Sequence, residues 1–159
     1  MTCEKAACTK EGMMTAHTST SLHDLVLRTF ATVEAKDLDA LMSLFADDAV
    51  LIDPHFPTPQ MQGKAAIREA FRGAMSGMRS FGYTIVNYCE SENGQCAAVE
   101  TATHHVLIQG MKRNFPQAFI FEVADGHITR LQAYEPYGPH GIMGVFLLVA
   151  RLTKRFSRK

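Results

Sequence analysis

The chain has 159 residues, 16 Lys plus Arg against 16 Asp plus Glu, and no Trp. A formal charge of zero leaves no global field to draw in nucleic acid or a polyanionic substrate. The length suits one domain with a full core, and the longest apolar run, 145–150, is far too short to span a bilayer.

Residues 1–20 are rich in Thr, Ser and Ala with little to bury, so a disordered leader is expected. They lack the apolar core of a secretory signal. A first helix should start at Ser21, with Leu22, Leu25, Val26, Phe30 and Val33 on the helical period. Asp37 can cap a short second helix carrying Leu38, Leu41, Met42 and Phe45, closed by the acidic pair Asp47 and Asp48. A strand over 49–52 then stops at Asp53-Pro54-His55. Pro54, Pro57 and Pro59 enforce a loop. A third helix is expected over 64–75, with Ile67, Ala70, Phe71 and Ala74 on one stripe.

Beyond it the pattern is mostly sheet. Segment 83–90 should pair with 97–108 across Asn93-Gly94, and 113–123 with 128–134 across Asp125-Gly126. The first pairing sets Cys89 opposite Ala98 and Cys96 opposite Ser91, so these thiols are not disulfide partners. A reduced, cytoplasmic protein is the simplest expectation. The second pairing places Ala118 opposite Ala133, Ile120 opposite Leu131 and Glu122 opposite Thr129, with Glu135 extending that face. Small residues at Ala118 and Ala133 would leave room for a ligand. Gln117, Phe119, Phe121, Ile128, Arg130, Gln132 and Tyr134 would share the other face, and a bulge would swap the two locally. Helices followed by long antiparallel strands indicate an α+β fold with helices on one face of a curved sheet.

Asp53 is the residue on which function turns. A carboxylate leaving a strand end either closes a turn or looks into a cavity as a proton acceptor. No His-x-His or His-Glu-x-x-His spacing, Gly-rich phosphate loop or Gly-x-Ser-x-Gly elbow occurs, so neither a metal nor another cofactor is expected.

Four strings carry a family resemblance: 36–41 (Lys-Asp-Leu-Asp-Ala-Leu), 44–54 ending in Asp-Pro, 63–71, and 126–134 (Gly-His-Ile-Thr-Arg-Leu-Gln-Ala-Tyr). From about 22 to 138 the chain resembles the nuclear transport factor 2-like superfamily, with its SnoaL-like and ketosteroid isomerase-like members. The resemblance implies a cone-shaped α+β domain over 21–138. Three N-terminal helices would pack on a strongly curved, mostly antiparallel sheet. It also implies an apolar small-molecule ligand and a homodimer. Asp53 falls on the general base of the ketosteroid isomerases. Their two oxyanion donors fall on Thr29 and Ala118, which cannot supply the same hydrogen bonds. Glu100, Ala102 and His104 fall on pocket-facing strand positions, and Glu135 on another. Catalytic roles are therefore expected for Asp53, His104 and Glu135. Ligand contacts are expected from Thr29, His55, Glu100, Ala118, Leu131 and Ala133.

Residues 139–159 are mostly apolar from Ile142 to Ala150 and at Leu152, and carry the basic residues Arg151, Lys154, Arg155, Arg158 and Lys159. A C-terminal helix packed over the pocket mouth or a second subunit is one reading; a weak membrane-surface contact is the other. The expectation is a cofactor-free enzyme moving protons on an apolar carbonyl ligand, isomerase-, cyclase- or dehydratase-like. The alternative is a non-catalytic binding or protein-interaction module on the same fold.

Overall fold

The computed structural model describes residues 21–135; the leader and the expected C-terminal helix lie outside the described residues. Helix α1 (Leu22–Glu34) begins where Ser21 Oγ accepts the Asp24 amide at 3.0 Å. The expected stripe from Leu22 to Val33 is buried, with Thr29 added to it. Lys36, at φ 57°, turns the chain into α2 (Leu38–Ser43), which Asp37 caps through the Ala40 amide. Helix α3 (Lys64–Gly77) buries Ile67, Phe71 and Met75.

Strand β1 (Phe45–Ile52) starts earlier than its apolar run suggests. Phe45 pairs with Ile128 and is wholly buried. Asp47 and Asp48 are therefore exposed residues within a strand and do not close a helix. The sequence reading also lacks two three-residue strands, β2 (Gln60–Gln62) and β3 (Met78–Ser80). Strands this short show no usable alternation. β2 pairs with β1 through Ile52↔Gln60 and Val50↔Gln62, so the Pro-rich segment is the loop of a hairpin.

The long strands are β4 (Tyr83–Glu90), β5 (Cys96–Leu107), β6 (Lys112–Ala124) and β7 (His127–Tyr134). The sheet order is β2-β1-β7-β6-β5-β3, with β4 also paired to β5. Only β1 and β7 run parallel among the described pairs. The Asn93-Gly94 hairpin sets Cys89 opposite Ala98 as expected, and both Cys89 and Cys96 are free thiols. Asp125 (φ 50°) and Gly126 (φ 75°) form the second turn with two positive φ values, the geometry that matches strand twist.

One residue decides the faces. Val123 pairs with Ile128 but Glu122 pairs with Arg130, so Thr129 is the extra residue of a bulge in β7. Beyond it Phe121 faces Leu131 and Phe119 faces Ala133. The expected partners Ile120 and Ala118 are wrong by one position: they lie on the outer face, and Phe119 and Phe121 on the inner. On β5 the buried residues are Ala97, Val99, Thr101, Thr103 and His105. Glu100, Ala102 and His104 take the opposite parity, against expectation. Burial follows the apolar pair Ala97 and Val99, and a strict period of two carries that choice along the strand. The core thus joins Val26, Phe30, Ile67 and Phe71 of the helices to Val99, Phe121 and Leu131 of the curved sheet.

Candidate functional site

The inner sheet face, α1, α3 and the loop after β1 enclose a cavity of about 1220 Å³. Its walls are mostly apolar, with Phe30, Met61, Phe71, Phe81, Phe119 and Phe121 among them. Few polar groups interrupt them, which is the usual character of a small-molecule site.

Asp53 closes a turn and also stands at the cavity wall. Its amide donates to the Pro59 carbonyl at 2.9 Å, its carbonyl accepts the Phe56 amide at 3.2 Å, and Oδ1 accepts the His55 amide at 2.8 Å. It closes the turn that Pro54 begins, and it also lines the cavity. That turn carries His55 back over the carboxylate, with Nδ1 at 3.4 Å from Asp53 Oδ1. The same Nδ1 lies against Glu135 Oε1, at the residue following β7. Glu135 Oε1 is fully buried and accepts no hydrogen bond among the described residues. His55 is thus its charge partner rather than an aligned donor.

Hydrogen bonding to Asp53 raises the His55 pKa above the ordinary histidine value; burial opposes this and Glu135 reinforces it. Burial raises Glu135 above the ordinary carboxylate range, Asp53 adds to that, and His55 opposes it. Both shifts favour the protonated forms of His55 and Glu135. Donor atoms of Asp53, His55 and Glu135 lie within 4.8 Å of one another, a mixed N/O set that could also hold a divalent cation. The absence of a metal motif could not reveal it, because its members come from two distant strand ends.

Inside the sheet the polar groups are neutral. Thr103 Oγ1 donates to Gln117 Oε1 and Thr101 Oγ1 to the Gln117 carbonyl, both at 3.3 Å. His105 is buried, and its Nδ1 accepts the Gly82 amide at 3.4 Å. Burial, then the charge of His55, lowers its pKa to about 4. Tyr83 also lines the cavity; burial first, then Asp53 and Glu34, raise its phenol well above the usual range.

Of the residues singled out from sequence, Thr29, Asp53, His55, Leu131, Ala133 and Glu135 line this one cavity. His104, Glu100 and Ala118 do not. His104 is exposed with Nδ1 at 3.3 Å from Asn114 Oδ1, and Glu100 accepts the Asn87 side-chain amide at 2.5 Å. Ala118 pairs with Glu100 and Tyr134 on the outer face. Thr29 donates its hydroxyl to the Leu25 carbonyl at 2.8 Å, so it offers the cavity no proton. The residues missed are His105, Gln117, Tyr83 and Arg113. The parity of Ala97 and Val99 was the signal that could have found His105.

Known structures share this architecture. The Δ5-3-ketosteroid isomerase of a Mycobacterium species superposes with TM-score 0.66 at 21% identity, over 72% of this chain and 92% of that one. A candidate polyketide cyclase from Xanthomonas campestris pv. campestris gives TM-score 0.65 at 22% identity, over 72% and 90%. A Mycobacterium tuberculosis protein in complex with estradiol-17beta-hemisuccinate gives 0.64 at 22%, over 70% and 91%. At these identities the likeness is one of fold. No curated protein matches the chain. No helix among the described residues is long and apolar enough to cross a membrane. The family model of the SnoaL-like domain matches residues 26–131, most of the folded region, and the chain belongs to that family.

Proposed function

We propose that this protein is a small-molecule acid–base enzyme that moves a proton on an apolar, carbonyl-bearing ligand held in the cavity, with Asp53 as the base. The observation that carries the reading is the placement of Asp53 and Glu135 on one wall, bridged by His55, at the edge of a large aromatic-lined cavity. A carboxylate fixed by its own turn has little freedom to lose when a C–H bond is presented to it. His55 and Glu135 supply a place for the abstracted proton to go and return from. The steroid and polyketide ligands suggested by the structural neighbours are largely flat and apolar, which matches the lining. Fold alone does not choose among them.

A binding module without chemistry is favoured by a single feature, the engagement of Asp53 Oδ1 in its turn. Deuterium exchange separates the two. The full chain is incubated with acetylnaphthalene, an apolar aryl ketone with exchangeable α-protons, in deuterated water. Exchange above the buffer rate that falls in Asp53→Asn supports the enzyme. Saturable binding with no faster exchange supports the module.

A further inference from the structure

His105 is the buried ionisable group that this proton-transfer reading leaves unused. It lies on β5 facing the cavity, 8% exposed. Three rings fix its plane: Phe81 and Tyr83 at centroid distances of 5.1 Å and Phe115 at 5.9 Å, all edge-on. Phe115 touches His55 as well, at 5.4 Å, so one aromatic ring joins the imidazole of the acidic cluster to the buried one.

Its tautomer follows from the backbone. Nδ1 accepts the Gly82 amide at 3.4 Å, a contact that favours the neutral tautomer with its proton on Nε2. The Gly82 carbonyl in turn accepts the His104 amide at 2.8 Å. A Cβ on Gly82 would stand 2.8 Å from the His104 carbonyl oxygen, which explains the glycine there: this close approach aims the amide at the ring. His105 itself lines the cavity.

We infer that His105 is a second catalytic residue, a neutral electrophile that donates Nε2–H to the ligand's carbonyl oxygen while Asp53 removes the adjacent proton. This rests on the acid–base reading above. The α-proton passes to the Asp53 carboxylate. The C–H electron pair becomes the new C=C bond, and the carbonyl π pair becomes the lone pair of the enolate oxygen. His105 keeps its proton throughout and supplies a hydrogen bond that strengthens as charge grows on that oxygen. A neutral imidazole suits this better than an imidazolium, because it stays in one protonation state across the neutral range. Thr29, which also lines the cavity, spends its hydroxyl on the Leu25 carbonyl and supplies no such bond. The substrate class follows: a ligand whose keto oxygen reaches β5 while its acidic C–H lies at the end of β1.

Two measurements on the full-length protein test this. The first is the nitrogen NMR spectrum of His105, expected to show Nε2 protonated and Nδ1 not. The second is the infrared carbonyl band of bound, isotope-labelled acetylnaphthalene. It should lie at lower frequency than in an apolar solvent, return to the solvent value in His105→Phe, and stay partly shifted in His105→Gln, which keeps a donor. His105→Phe should also slow α-proton exchange by about 10²–10³-fold. A proton on Nδ1, an unshifted band in wild type, or a shift lost in Tyr83→Phe and kept in His105→Phe overturns the inference. The tautomer and the wild-type band decide even if His105→Phe fails to fold. Catalysed exchange with an unshifted band removes His105 and leaves Asp53. No binding of the ketone removes both.

Discussion

Asp53, His55 and Glu135 sit where strands stop, whereas Thr101, Thr103, His105 and Gln117 sit within strands paired on both sides. The first group is ionisable, reaches solvent, and contains a buried oxygen with no hydrogen-bond donor among the described residues. The second is neutral and buried, and its members bond to one another or to the backbone. Charged groups are tolerable here only at the cavity edge, where water can compensate them; neutral donors can be built into the sheet, where their direction is fixed. The cavity thus has one wall of ionisable groups and one of neutral, bonded groups, a contrast on which the proposed acid–base reading draws.

The comparison breaks most sharply at Asp53. Asparagine keeps the acceptor for the His55 amide and removes the base. Asp53→Asn should lower catalysed α-proton exchange by about 10²–10⁴-fold, with the thermal midpoint nearly unchanged. Equal exchange in both proteins would move the base to Glu135.

How much of this could be read in the chain depends on parity. Asp53 and His55 were legible because Pro54 fixes a strand end and local turn chemistry does the rest. Glu135, Leu131 and Ala133 were legible because they follow one another along β7 beyond any irregularity. Their β6 neighbours were not: the bulge at Thr129 shifts one strand against the other, and no residue type announces it. His104 and His105 show the same limit. Adjacent histidines point to opposite faces, and only the burial of Ala97 and Val99 fixes which one enters the cavity. The helices were simpler, since Ser21 and Asp37 cap them and their apolar stripes are strongly periodic.

The rigid wall should break next at Gly82. A methyl there meets a backbone oxygen, which cannot move as a side-chain tip can. Gly82→Ala should destabilise by about 1–3 kcal/mol in a denaturant melt, the range for overpacked sites. It should also disturb the His105 nitrogen signals, because the amide that fixes the ring is carried by the same residue.

A smaller effect is expected one layer deeper. Gln117→Leu removes the acceptor of the Thr103 hydroxyl in a site with no exposure. Thr103 retains Thr101 as a partner at 3.1 Å, so the cost should be about 1 kcal/mol rather than that of a wholly stranded hydroxyl. A Gln117→Leu, Thr103→Val double variant should recover part of it, and strict additivity would show that the two side chains do not interact.

The smallest effect separates the walls by the sign of their pH dependence. His55 has a raised pKa in the fold, so its pairing stabilises fully below its ordinary value of 6.5 and that stability is lost as pH rises through the raised value. His105 is the reverse: lowered from 6.5 to about 4, it stabilises fully above 6.5, and that contribution is lost as pH falls toward 4. His55→Gln should therefore match wild type on the alkaline side and fall behind it below neutral pH. The gap should be about 0.2–1 kcal/mol, because the His55 side chain is half exposed and its pairs are screened. His105→Phe should instead gain on wild type as the solution is acidified. Thermal midpoints across the pH range read both slopes. If the two variants diverge from wild type in the same direction on acidification, the walls do not differ in charge as described.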